Sequence, residues 1–142
     1  MKSLASVILL LFIATFSFGQ DFPNSSYGLT AEENELWLKR VISSEKGTQL
    51  TLIQNRFFKR KDFTKSTNTA IPVVIANGIV VNEIVNTELK SLLAAQLTTD
   101  KVQITIVEKE PEGLYVNKAW TGIIVLSISD KKINKLLKRY KP

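Results

Sequence analysis

The sequence predicts an α+β fold in which a small mixed β-sheet, a hairpin plus two further strands, is packed by helices. Two runs of branched apolar residues flank Asn77-Gly78, a pair that accepts the positive φ angles of a type I′ hairpin turn. The run Ile123–Ile128 is apolar at nearly every position, as expected of a buried strand. Around these strands, apolar residues recur at the spacing of amphipathic helices.

The chain begins with the features of a secretory signal peptide. Lys2 supplies the positive charge, Leu4–Phe16 is almost wholly apolar, and Ser17 and Gly19 are small residues at the −3 and −1 positions of a cleavage site. We expect cleavage between Gly19 and Gln20. An uncleaved membrane anchor is the alternative, but the apolar run is shorter than the roughly 20 residues that a spanning helix needs. The sequence therefore predicts export to the periplasm, the outer membrane or the exterior.

The first helix of the exported part is predicted to begin at Thr30. Residues 20–28 are polar and contain turn-forming residues, so we expect a flexible leader before it. Residues 30–33, TAEE, form a capping box, in which Thr30 and Glu33 each accept a hydrogen bond from the other's amide. The helix should end by Ser43-Ser44. Its predicted apolar face consists of Leu36, Trp37, Val41 and Ile42.

The next segment, residues 48–58, fits a helix better than a strand. Its apolar residues recur at i, i+3, i+7 and i+8, although Leu50 and Leu52 alone also fit a strand. These residues are Leu50, Ile53, Phe57 and Phe58. Residues 59–70 are predicted to be a linker that separates an N-terminal part, residues 20–69, from a second part, residues 70–142. The linker cations, which are either solvated or in contact with phosphates, are Lys59, Arg60, Lys61 and Lys65.

The second part is predicted to begin with the hairpin, and Pro72 suits the start or the edge of its first strand. Residues 88–97 carry leucines at helical spacing, and Asn86 or Thr87 caps this helix. Residues 102–107 place apolar side chains at every second position and predict a strand. Residues 108–113 contain Pro and Gly, so they are expected to form the loop that leads to the last strand.

The chain is predicted to end in a basic amphipathic helix. Ile133, Leu136, Leu137 and Tyr140 form a stripe at i, i+3, i+4 and i+7. This helix either docks with a solvated charged face or presents its cations to an anionic surface. The cations are Lys131, Lys132, Lys135, Lys138, Arg139 and Lys141.

The composition excludes several kinds of site. The chain has no Cys and no His, which removes thiolate nucleophiles, disulfides, Ser-His-Asp triads and the commonest zinc ligand. It also lacks P-loop, G-x-G-x-x-G and G-x-S-x-G patterns. We therefore expect no enzymatic activity, no cofactor and no metal. The net charge of +6, to which Lys2 contributes, permits an anionic partner without requiring one, and no nucleic acid is expected.

From Ile71 to about Ser129, the predicted order is strand, turn, strand, helix, strand, loop, strand. The residues on this frame resemble the plug domain of TonB-dependent outer-membrane receptors, especially the type found in starch-utilisation systems. The matching pieces are Pro72 to Gly78, Val107 with Lys109, Leu114-Tyr115, Lys118, and Gly122 followed by Ile123-Ile124-Val125-Leu126. The chain departs from the family pattern at Val116, where glycine is preferred, and at Thr121, where asparagine is preferred.

The resemblance implies a free-standing plug-like domain of the bacterial cell envelope, because no run of alternating barrel strands follows it. It brings no catalytic residues. In such a domain, Gly122 is expected to let the backbone bend before the last strand, and Leu114 and Tyr115 to hold the preceding loop on the sheet.

We therefore expect an exported, non-catalytic binding module whose partner is a cell-envelope protein or an anionic envelope surface. The candidate contacts are the six cations of the terminal helix together with Asn77 and Gly78 of the hairpin turn. One alternative is a secreted inhibitor that uses this turn or the 108–113 loop as a wedge. The other is a small hydrolase, since carboxylates that alternate along an extended segment can share a proton or a hard cation. These carboxylates are Glu108, Glu110 and Glu112.

Overall fold

The computed structural model describes residues 27–60, 68–113 and 119–141. Within these residues lie four α-helices and a four-stranded mixed sheet, which confirms the predicted α+β class. The helices are α1 (Ala31–Ser43), α2 (Lys46–Ile53), α3 (Thr87–Ser91) and α4 (Lys131–Leu137). The strands are β1 (Val73–Ala76), β2 (Ile79–Val80), β3 (Val102–Val107) and β4 (Ile123–Ile128). The predicted cleavage site, residues 20–26 of the predicted leader, and the Leu114-Tyr115 pair lie outside the described residues. The prediction of a flexible leader is wrong for its end, because Tyr27 is buried with 2% of its surface exposed.

The sheet has the strand order β2-β1-β4-β3, so β4 is a central strand. It pairs with β1 in parallel and with β3 antiparallel, and β1 pairs antiparallel with β2. The hairpin and the last strand therefore share one sheet, as the sequence predicted. The hairpin turn has φ of 47° at Asn77 and 84° at Gly78, which is the positive pair that a type I′ turn requires.

Only one face of the sheet is fully buried. The side chains of Val74, Ala76, Ile124 and Leu126 point to the helices and are inaccessible to solvent. On the opposite face, side chains of β1 and β4 keep part of their surface exposed. The prediction that β4 is buried along its whole length was therefore wrong for alternate positions, because successive side chains of a strand point to opposite faces.

Helix α1 begins with the predicted capping box. The Glu33 amide donates to Thr30 Oγ1 at 3.2 Å, and the Thr30 amide donates to Glu33 Oε2 at 2.9 Å. The predicted apolar face was only half right, since Leu36 and Ile42 remain 47% and 42% exposed. The buried stripe is instead Asn34, Trp37, Leu38 and Val41, which keeps the i, i+3, i+4, i+7 spacing but begins at a polar residue.

The segment after α1 is helical, and its four predicted apolar residues are all buried. Helix α2 widens into a π-helical turn at Gln54–Phe58, and α3 widens in the same way at Leu92–Gln96. In the second of these turns, the Leu97 amide donates to the Leu92 carbonyl. In an α-helix it would donate to the Leu93 carbonyl, which therefore loses its backbone partner. The buried Gln54 side chain supplies the missing donor, with Nε2 at 3.0 Å from that carbonyl oxygen.

One hydrophobic cluster contains side chains from both parts of the chain, among them Phe57 and Phe58 before the linker and Leu93 and Ile124 after it. The linker is also paired to the N-terminal part, because the Ala70 amide donates to the Leu29 carbonyl at 2.7 Å. Helices α1 and α2 therefore cover the same core as the sheet.

Arg56 lies inside this core with 4% of its surface exposed. Its Nε donates to the Tyr27 carbonyl and its Nη2 to the Ala70 carbonyl, both at 3.1 Å. The guanidinium carbon lies 4.4 Å from the centre of the Trp37 ring and 5.3 Å from that of Phe57. Burial lowers the pKa of Arg56 to about 9, so the side chain still carries its charge at pH 7.

Gly122 precedes β4 with φ of 95°, in agreement with the bend predicted there. Its carbonyl accepts a hydrogen bond from the Val73 amide at 3.0 Å, beside the first parallel pair of β1 and β4. A Cβ atom at this position would lie 2.7 Å from Cδ1 of Leu38, so α1 packs directly on the glycine.

We expect Gly122→Ala to lower the free energy of unfolding by about 2–5 kcal/mol, because backbone strain adds to a forced shift of Leu38. Gly78→Ala is the matched control, since Gly78 also has a positive φ of 84° but nothing lies within 4 Å of an added Cβ. It should show the backbone contribution alone, about 1–2 kcal/mol. Urea denaturation of both variants measures the difference, and equal losses would contradict the packing role of Gly122.

We expect Arg56→Ala to lower the free energy of unfolding by about 2–5 kcal/mol, because two buried carbonyls lose their donor and the aromatic contacts are lost. Arg56→Lys keeps the charge but replaces a planar fork by a single ammonium group, and it should recover only part of the loss. Chemical denaturation at pH 7 tests both. An alanine variant as stable as the parent would show that the carbonyls find other donors.

Candidate functional site

The terminal helix α4 is fixed to the domain at its first residue and along one side. Asp130 caps it, accepting hydrogen bonds from the amides of Lys132 at 2.9 Å and Ile133 at 3.0 Å. The Lys101 ammonium lies 3.1 Å from the second carboxylate oxygen of Asp130. The helix buries Ile133, Leu136 and Leu137, and it then tightens into a 3₁₀ turn at Lys138–Tyr140.

The six cations of the predicted terminal helix, three in α4 and three in the residues that follow it, are all exposed, and we refer to them together as the cations of α4. Lys132 lies 3.7 Å from a Glu88 oxygen, but both side chains are more than half exposed, so this pair contributes little. Among the residues that the structure describes, the other five form no ion pair with a carboxylate. Lys138, Arg139 and Lys141 follow the last α-helical turn, where the helix dipole favours positive charge.

The structure brings the predicted hairpin turn next to this helix. The Asn77 side chain donates to the Ile128 carbonyl at 2.9 Å and accepts from the Ile128 amide at 2.8 Å. It also donates to the side-chain oxygen of Asn134 in α4. Asn77 is therefore engaged in internal contacts, whereas Gly78 has open space around it.

An apolar groove of about 430 Å³ adjoins the helix and was missed by the sequence reasoning. Strand β2, the residues that follow it, Leu89 of α3, and Leu137 and Tyr140 line this groove. Three of its side chains, which we call the apolar rim, are Val80, Val85 and Tyr140. Their exposed fractions are 62%, 90% and 44%. The continuous apolar run from Ile79 to Val81 was the available signal, but it predicted only the second strand of the hairpin.

A second cleft, of about 680 Å³, lies between α1 and the residues that flank β3 and β4. The Trp120 indole donates to the Glu108 carbonyl at 2.8 Å, and Nδ2 of the Asn34 side chain donates to the Thr121 carbonyl at 2.9 Å. Its charged lining residues have both signs. They are Glu32, Glu35, Lys39, Glu108 and Lys109. A hydrogen bond from Lys39 lowers the pKa of Glu35, so this exposed pair is ionised at neutral pH.

The three carboxylates of the hydrolase alternative do not line one cleft together. Glu108 is half-buried and lines the cleft beside α1, whereas Glu110 and Glu112 are exposed and lie outside its lining. Within the described ranges, no group of three or more acidic residues is placed to hold a metal ion. Of the linker cations, Lys59 is exposed and Arg60 half-buried, and Lys61 and Lys65 lie outside the described residues.

The helices of residues 27–60, 68–113 and 119–141 are all too short or too polar to cross a membrane. Comparisons with protein-family models, curated proteins and solved structures found no match to this chain. The likeness to receptor plugs therefore depends on the residues quoted above and stays a prediction.

We expect Asp130→Ala to loosen the start of α4, because the Lys132 and Ile133 amides lose their acceptor. Hydrogen exchange should accelerate at the amides of residues 132–137 and stay unchanged in α1. Asp130→Asn keeps an oxygen acceptor, so its exchange rates should lie between those of the parent and those of Asp130→Ala. Unchanged exchange in the alanine variant would contradict the role of this cap.

The same contacts predict a pH dependence. Hydrogen bonds donated by the Ile133 amide, and next by Lys101, lower the pKa of Asp130 from its ordinary 3.8. A carboxyl group with a lowered folded-state pKa stabilises the fold fully above its ordinary pKa, and this contribution disappears as the pH falls through the lowered value. Protection factors in α4, which correct for the pH dependence of intrinsic exchange, should therefore fall only below about pH 4, and Asp130→Ala should abolish this step.

Proposed function

We propose that this chain is an exported, non-catalytic binding module, similar to a free-standing receptor plug, whose terminal helix contacts an anionic partner. The observation that carries the proposal is the set of five exposed cations in residues 131–141 that have no carboxylate partner among the described residues. Like charges held this close repel one another, and an anionic surface relieves that repulsion.

The way in which α4 is held supports this role. Its apolar side is buried, its first turn is capped by Asp130, and Asn134 is bonded to the hairpin turn. The cations are therefore presented on a fixed backbone, although their side chains remain mobile enough to fit different anions. A fixed scaffold reduces the ordering that binding requires.

We expect binding to dextran sulfate, a soluble polyanion, to weaken at least about tenfold when Lys135, Lys138, Arg139 and Lys141 are replaced by Gln, since each exposed charge pair contributes a fraction of a kcal/mol. Fluorescence anisotropy at low and high salt measures this, and the parent protein should itself lose affinity as salt rises.

The matched control replaces four exposed cations outside α4 by Gln, which changes the net charge equally. These are Arg40, Lys46, Lys59 and Lys109. It should bind within about twofold of the parent protein. Equal weakening of both variants would show that only the net charge matters and would remove α4 as the binding site.

A further inference from the structure

We propose that the anionic partner is a lipid bilayer surface, which the cations of α4 contact through phosphate headgroups while the apolar rim enters the interface. This inference rests on the proposed function and goes beyond it, because it assigns a chemical class to the partner and adds Val80, Val85 and Tyr140 to the contact.

The first observation is the exposure of the rim. Val85 is 90% exposed and Val80 is 62% exposed, so two branched aliphatic side chains stand in solvent beside one groove. Single exposed apolar residues are ordinary, but a contiguous exposed apolar patch marks a site of interaction with a protein, a ligand or a membrane. Tyr140 completes the rim, and its ring combines an apolar body with a polar tip, as is typical of side chains at membrane interfaces.

The second observation is that the rim is continuous with the basic helix. Leu137 and Tyr140 line the groove, and Lys138, Arg139 and Lys141 are their immediate neighbours in the sequence. Consecutive Cα atoms are about 3.8 Å apart, so the backbone of each of these cations lies directly beside that of a groove residue. Glu83 is the single acid among the groove residues that the structure describes.

A bilayer fits this arrangement better than an extended peptide. Strand β2 spans only Ile79–Val80, so its free edge offers a peptide the outward-facing backbone groups of one residue. The most exposed apolar side chains stand at the rim of the groove, whereas Leu89 and Leu137 within it are buried. Apolar side chains that protrude beside cations suit the boundary between headgroups and acyl chains, where the two contributions add.

The test is co-sedimentation of the exported, processed chain with vesicles of phosphatidylcholine, with and without phosphatidylglycerol. We expect binding only to the vesicles that contain phosphatidylglycerol, and weaker binding in high salt. Each cation removed from α4 should weaken it about fivefold. Val85→Ser should weaken vesicle binding about tenfold, and adding Val80→Ser should weaken it further. Both variants should bind dextran sulfate as the parent does.

The matched control is Leu36→Ser with Ile42→Ser, which removes two exposed apolar side chains from α1, far from the helix cations in sequence. It should bind vesicles as the parent does. Val85→Ser is the variant least able to disturb folding, because its side chain has little buried surface to lose, and thermal denaturation checks the double variants.

Three results would overturn the inference in distinguishable ways. If the Val85 variant binds phosphatidylglycerol vesicles as tightly as the parent, the rim plays no part, although the proposed function stands. If the parent binds dextran sulfate but not these vesicles, the partner is an acidic macromolecule rather than a lipid surface. If the parent binds neither, the proposed function fails together with the inference.

Discussion

Within the part of the chain that the structure describes, the architecture depends on one buried cation, Arg56. Arg56 donates to carbonyls on both sides of the helical N-terminal part, one just before α1 and one just before β1. No side chain other than arginine has several rigid donors that can reach two separate carbonyls while its flat face packs on Trp37. The pKa of Arg56, lowered by burial to about 9, still leaves the guanidinium charged at pH 7. These hydrogen bonds are therefore charge-assisted and stronger than those of a neutral donor. The helices are thereby held at one position relative to the sheet.

That position explains why the sheet has two different faces. All the fully buried strand residues point to the helices. The other face becomes more polar across the sheet, from Val73 and Ile75 on β1 to Gln103 and Thr105 on β3. The terminal helix completes the helical layer and turns its charged side outward. The cations of the candidate site are exposed because α4 has only one apolar side, and that side is buried in the core.

Local signals predicted much of this fold. The capping box and the Asn-Gly turn each depend on residues a few positions apart, and the structure has both where the sequence placed them. The apolar stripe of α4 is confirmed at Ile133, Leu136 and Leu137 but not at Tyr140, which follows the α-helix and is 44% exposed. The features that were missed depend on residues far apart. Asn34 lies on the buried side of α1, where only apolar residues were predicted, because its side chain bonds to the Thr121 carbonyl. The two π-helical turns are joined across the core by the Gln54 side chain. The apolar rim was missed for the same reason, since Val80 and Val85 are exposed because β2 contains only two residues.

The strand order also determines when the chain can fold. Of the four described strands, β4 is synthesised last, and the parallel partner that it needs, β1, precedes it by about fifty residues. Until Ile128 has emerged from the ribosome, Asn77 lacks the backbone groups that hold its turn, and β1 and β3 have no strand between them. The sheet therefore cannot form before residues 123–128 have been synthesised. Under the export that we propose, this delay would keep the polypeptide unfolded for passage through a translocation channel.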